Sequence, residues 1–228
     1  MYSSPMSPEQ KMNHARRTQA ERRETTRAAL VTAAMQCLTR HGYAGATMAR
    51  IASEAGVTRG ALQHHFEDRR ALMMAVVDEG YRRLTNDLAD ALPTTGTLGA
   101  RVDLLVESYL THYGTPHARA AFEVVLAFRD EPTFLASHFG TLAPLQQQVE
   151  ARWRETFSDA HVSDATVYHA RQVTRTSVLG FVLLNATGVG LTDPGVVNAL
   201  KESIRHLIAT DGGRRAPVDA PLPQRGPT

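Results

Sequence analysis

The sequence predicts an all-α protein, with a three-helix head followed by a larger helical body. Apolar residues recur at three- and four-residue spacing along most of the chain, and no stretch alternates apolar and polar in the manner of a half-buried strand. Two short periodic segments also flank a three-residue link centred on Gly56, a spacing that brings two helices into a tight turn.

Residues 1–24 are short of aliphatics and carry Lys11, Arg16, Arg17, Arg22 and Arg23. Such a stretch buries too little to offset its ordering entropy, so a flexible basic arm is expected. From Thr25, Leu30, Val31, Ala34, Met35 and Leu38 fall on one helical face until His41-Gly42 ends the pattern. Thr47 is an N-cap for a second helix over 48–55, where Met48, Ile51, Ala52 and Ala55 share a side and Gly56 closes it. Thr58 caps a third helix over 59–65, with Leu62 and Phe66 turned inward and Arg59, Gln63 and His64 outward. Asp68 caps a fourth helix over 69–91, stopped by Pro93 and Gly96. Further helices are expected near 98–113, 117–130, 133–157, 163–187 and 194–210, the last opening on the cap-and-proline pair Asp193-Pro194. The domains expected are the arm (1–24), a helix-turn-helix domain (25–67), a body (68–211) and a Pro-rich tail without packed structure (212–228).

Charge divides along the chain. Residues 1–70 hold 11 Lys/Arg against 6 acids, whereas the other 158 hold 14 against 17, so a polyanion is drawn to the N-terminal part. The longest apolar run, Val178 to Leu184, falls far short of the roughly 20 residues that span a bilayer, and no signal-peptide core precedes residue 27. With a single cysteine, Cys37, on an apolar helix face, a reducing, cytoplasmic setting is expected. His112/His117 and His161/His169 miss the spacing that sets two ligands on one helix face, so neither metal nor cofactor is expected. Catalysis is not expected either, because there is no nucleophile elbow, and Gly188-Val189-Gly190 lacks both the preceding strand and the third glycine of a phosphate loop.

The run from Thr47 to Leu72, TMARIASEAGVTRGALQHHFEDRRAL, together with the preceding His41-Gly42-Tyr43, resembles the signature of TetR-type repressors over about a third of the chain. The resemblance implies about nine helices, the first three binding DNA and the others forming a ligand-sensing and dimerising body. It places Thr47, Thr58, Arg59, Gly60, Gln63, His64 and Arg69 at the DNA, with Arg59 reading a base and Thr47 and Arg69 meeting phosphates. Gln63 stands where the family often has a tyrosine. Tyr109, Tyr113, Phe122, Arg129, His138 and Arg175 are the candidate residues for a small-molecule effector of unknown identity, and the last two helices are the expected homodimer contact. The implied function is a regulator, a repressor released from a palindromic operator by that effector; a nonspecific architectural DNA binder is the alternative.

Overall fold

A computed structural model describes residues 8–186 and 193–212, with side chains from Gln19 onward. Ten α-helices and no strand occur among the described residues: α1 (Pro8–Gly45), α2 (Met48–Glu54), α3 (Arg59–His65), α4 (Arg69–Ala91), α5 (Leu98–Tyr113), α6 (Pro116–Ala127), α7 (Pro132–Thr141), α8 (Ala143–Thr156), α9 (Asp164–Ala186) and α10 (Pro194–Gly212).

The chain forms two compact units. The first comprises the described residues up to Asp90 together with Thr111–Gln148, and the second comprises Ala91–Leu110 and the described residues from Val149 onward. This division differs from the boundary expected at 67/68: α4, α6 and α7 belong with the head. In the first unit, α1 packs on α2, α3 and α6, around Leu30, Ala34, Leu38, Ile51, Leu62, Phe66, Leu72, Val76 and Val124. Cys37 is part of this core, and burial raises its thiol pKa, as suits a packing residue. Gly42 has φ 63 and ψ 179, a conformation that glycine adopts without a Cβ clash, and it bends the chain out of α1. The Glu123 carboxylate accepts the Tyr43 amide at 3.0 Å just beyond the bend.

In the second unit, α10 packs on α9. Its core includes Val102, Leu105, Val106, Tyr109, Trp153, Phe157, Val178, Leu200, Ile204 and Ile208. Much of the α10 apolar stripe is therefore packed inside the unit, while Val196 stays exposed. The start of α10 is built as the sequence predicts, Asp193 Oδ1 accepting the Gly195 amide at 2.8 Å before Pro194 enters the first turn.

Two expectations need correction. The backbone is helical from Pro8 rather than from Thr25. Residues 19–24 are exposed, but residues 9–24 are mostly Glu, Gln, Lys, Met, Ala and Arg, which favour a helix locally without tertiary support. The single helix expected over 133–157 is two, α7 and α8, broken at Leu142. Pro144 lacks an amide hydrogen and its ring clashes with the preceding turn, so it is tolerated only in the first turn of a new helix. The tail beyond Gly212 and Gly188–Gly190 lie outside the described residues.

Candidate nucleic-acid interface

The head is assembled by caps and one glycine. Thr47 Oγ1 accepts the Arg50 amide at 3.3 Å and Thr58 Oγ1 accepts the Ala61 amide at 3.1 Å, so both short helices begin on threonines with extended backbone. Between them, Gly56 at φ 66 turns the chain, and the Val57 amide donates to Ala52 O at 3.0 Å. Ile51 and Leu62 are fully buried across the turn. Burying these two side chains fixes which face of α3 points outward.

That outward face carries the predicted residues. Thr58, Arg59, Gly60, Gln63 and His64 are exposed, as is Thr47 at the start of α2. Among the described residues Arg59 makes no ion pair, so its guanidinium fork is available to a guanine edge or a phosphate. A Cβ on Gly60 would lie 3.9 Å from Thr58 Oγ1 and meet no nearer atom; the absent side chain clears the surface beside Arg59. His65, next in sequence, is half-buried, and desolvation lowers its pKa, with His64, Arg23 and Arg27 adding to the effect, which favours the neutral ring beside Phe66.

Arg69 differs from its expected phosphate role. Its guanidinium lies 4.0 Å from the centre of the Tyr43 ring and donates to the carbonyls of Tyr43 and, at 3.3 Å, Ala46. It ties the start of α4 to the end of α1. Arg70 is similarly engaged, 3.7 Å over the Phe134 ring and 2.5 Å from Glu131. Arg22 and Arg23 lie exposed on α1, whereas Arg27 covers Phe66 at 5.0 Å.

The effector candidates divide between the units. Tyr113 and Phe122, tilted ring on ring at 5.4 Å, and His138, 2.9 Å from Asp78, belong to the first unit. Tyr109 and Arg175 belong to the second. Arg129 is a correction: its side chain is 71% exposed and pairs with Asp130 at 3.8 Å, so it faces solvent rather than a pocket. A groove of about 340 Å³, lined by Arg27, Val31, Ala75, Asp78, Glu79 and Arg82, contains none of the six candidates. Sequence reading missed Arg171, which lies buried one turn before Arg175 on α9; the four-residue spacing was its only signal.

Comparison with known proteins decides what this head is. The family model "Bacterial regulatory proteins, tetR family" matches residues 30–76, from α1 through the helix-turn-helix into α4. The matched segment, residues 30–76, is a TetR-type helix-turn-helix head. The HTH-type transcriptional regulator CymR of Pseudomonas putida is 36% identical over 103 residues, covering 43% of this chain and 51% of CymR, so that match spans only about half the relative's length. The HTH-type transcriptional repressor AcnR of Corynebacterium efficiens is 26% identical over 185 residues, covering 79% of this chain and 93% of AcnR. In fold, the chain is similar to a tetR-family transcriptional regulator from Streptomyces coelicolor, with TM-score 0.61, 20% identity and 83% of each chain covered. The likeness extends to a protein of unknown function from Rhodococcus, with TM-score 0.62, 22% identity, and 79% of this chain and 94% of the other covered. The curated relatives that the chain matches are named HTH-type transcriptional regulators and repressors. None of its described helices is long and apolar enough to cross a membrane.

Proposed function

We propose that this protein is a sequence-specific DNA-binding transcriptional regulator, a homodimeric cytoplasmic repressor released from a palindromic operator by a small organic effector, and that it acts by binding rather than by catalysis. The observation that carries the reading is the exposed face of α3, where Arg59, Gly60, Gln63 and His64 follow a capping threonine on a rigid, buried base. In the proposal Arg59 reads a base, Gln63 and His64 meet bases or phosphates, and Thr47 and Thr58 hold phosphates at two helix starts. Arg69 enters as a positioning residue. One helix of this length touches too few bases for specificity, so two heads on successive turns of the duplex are required. Exposed apolar side chains on the last two helices, Tyr168, Val173, Leu184 and Val196, support a dimer contact there. Release requires an effector that binds the operator-free form more tightly, because only differential affinity shifts the equilibrium.

Selection of bound duplexes from a random library at near-physiological salt tests the reading. A two-fold symmetric motif is expected. Binding without any motif, with steep salt dependence, would instead identify an architectural DNA binder.

A further inference from the structure

Three arginines of the second unit, Arg101, Arg171 and the half-buried Arg175, enclose an Nε without a hydrogen-bond partner, and they differ at their terminal nitrogens. Those of Arg101 are held: Nη1 donates to Thr156 O at 2.6 Å, and the two terminal nitrogens grip Asp159 at 2.6 and 3.0 Å. Among the described residues, those of Arg171 and Arg175 are not. They stand one turn apart on α9, so their side chains leave the same helix face. Arg171 is only 9% exposed, and the Nε atoms of both arginines are enclosed without a hydrogen-bond partner. The nearest carboxylate, Glu150, stands 3.9 Å from Arg171 Nη2, beyond hydrogen-bond length, while its other oxygen is held by Arg154 at 2.7 Å. Among the described residues Arg175 makes no ion pair. Thr174, between them, directs its hydroxyl to Ala170 O at 2.9 Å and cannot help.

Enclosing a guanidinium nitrogen without an acceptor is unfavourable, and two such nitrogens one helical turn apart, with only a long contact from Arg171 to Glu150 beside them, call for a further acceptor. The charge count indicates which. Arg154, Arg171 and Arg175 stand against Glu150 and Asp164, the latter 3.5 Å from Arg154, which leaves one positive charge uncompensated. A single carboxylate balances it and offers planar acceptors to both guanidinium forks; a phosphate monoester would bring close to two negative charges beside Glu150. Both arginines act electrostatically on Tyr109, which burial pushes up to about 12 and whose oxygen accepts the Trp153 indole N–H at 2.8 Å. Tyr109 and Trp153 therefore stand within electrostatic reach of the two arginines.

We propose that Arg171 and Arg175 hold the carboxylate of a small monoanionic organic acid with an apolar body. This names the effector class and rests on the effector-released reading above.

Trp153 is the sole tryptophan, so its emission, alongside the melting temperature, reports on the site. The full chain is titrated with a broad set of monocarboxylates, including benzoate and hexanoate, each beside its neutral amide. Acids are expected to shift the emission and, at a hundredfold excess over Kd, to raise the melting temperature by about 5–10 °C, while amides do neither. R171M and R175M should lose the response without melting lower when ligand-free, because each removes an enclosed nitrogen that has no acceptor; R171K and R175K, which keep the charge but not the fork, should weaken binding at least about tenfold. The inference is overturned if amides act as well as acids, if no acid acts, or if the methionine variants keep the response. Neutral compounds that alone stabilise the chain and release operator would sink it while sparing the effector-released reading. Acids that bind through the arginines but leave operator affinity unchanged would do the reverse.

Discussion

Arg59 is exposed, makes no ion pair among the described residues and sits in the first turn of α3, so its truncation separates recognition from stability. R59A should weaken binding to the selected operator by about 1–3 kcal/mol, concentrated at one base position, while the urea midpoint stays unchanged within error. Fluorescence anisotropy on a panel of single-base operator variants checks this; a uniform loss across the panel would reassign Arg59 to the phosphate backbone. Thr58 predicts the complementary pattern. Its hydroxyl caps α3 through the Ala61 amide at 3.1 Å, so T58A should cost about 1 kcal/mol of stability in denaturant titration as well as affinity. This surface was legible in the sequence because every determinant is local: the cap, the turn glycine and the inward Leu62 lie within a few residues of Arg59. The internal contacts of Arg69 were not legible, because its partners, the carbonyls of Tyr43 and Ala46, lie more than twenty residues away at the end of α1.

Helix boundaries followed the same logic. α3, α4 and α5 fall where capping residues and apolar spacing put them, whereas the α7–α8 break was lost because apolar periodicity runs through Leu142 and masks Pro144. Which helix lies against which was not legible, since contacts such as Trp153 to Tyr109 join residues 44 apart in sequence. The closest approach of α4 to α6 depends on Gly80, where an added Cβ would lie 2.7 Å from the Ala121 Cβ and 2.8 Å from the His117 carbonyl oxygen. Alanine has the better helix propensity by about 1 kcal/mol, yet the backbone carbonyl cannot yield without moving α6. G80A should therefore be net destabilising, by about 1–3 kcal/mol in thermal unfolding; a stabilised variant would show that the two helices separate freely. The same crossing is pH-sensitive. Desolvation lowers the pKa of His117, partly opposed by the Asp87 carboxylate at 3.4 Å. Because the folded pKa lies below the unfolded value near 6.5, the unfolded chain takes up the proton first as pH falls. Stability from this group is complete above about pH 6.5 and declines toward the folded pKa. His65, shifted in the same direction, adds to the decline. The melting temperature should drop between pH 7 and 5.5, and H117Q should make that drop shallower; an unchanged slope would remove His117 as a source.

At the scale of the molecule, operator recognition needs a second copy, and the surface available for it on α9 and α10 is smaller than their apolar content suggests. Leu200, Ile204 and Ile208 of α10 are buried within their own unit, and so are Val167, Ala170 and Val178 of α9. The apolar side chains left outside, Val173 and Leu184 on one stripe of α9, Tyr168 elsewhere on the same helix and Val196 on α10, are too few to form a core and enough to form the centre of an interface. A carboxylate placed there would be desolvated by dimerisation but tolerated by the lone chain, since Val173 is 42% exposed. V173D should therefore leave the far-UV spectrum and urea midpoint of the folded chain intact, convert the dimer to a monomer in sedimentation velocity, and weaken binding to a two-fold operator by about a hundredfold or more, as the second head no longer binds at high effective concentration. Affinity for an isolated half-site should not change. If V173D remains dimeric and binds the full operator normally, the contact between copies lies on another surface of the chain, and the exposed stripe on α9 needs a different partner.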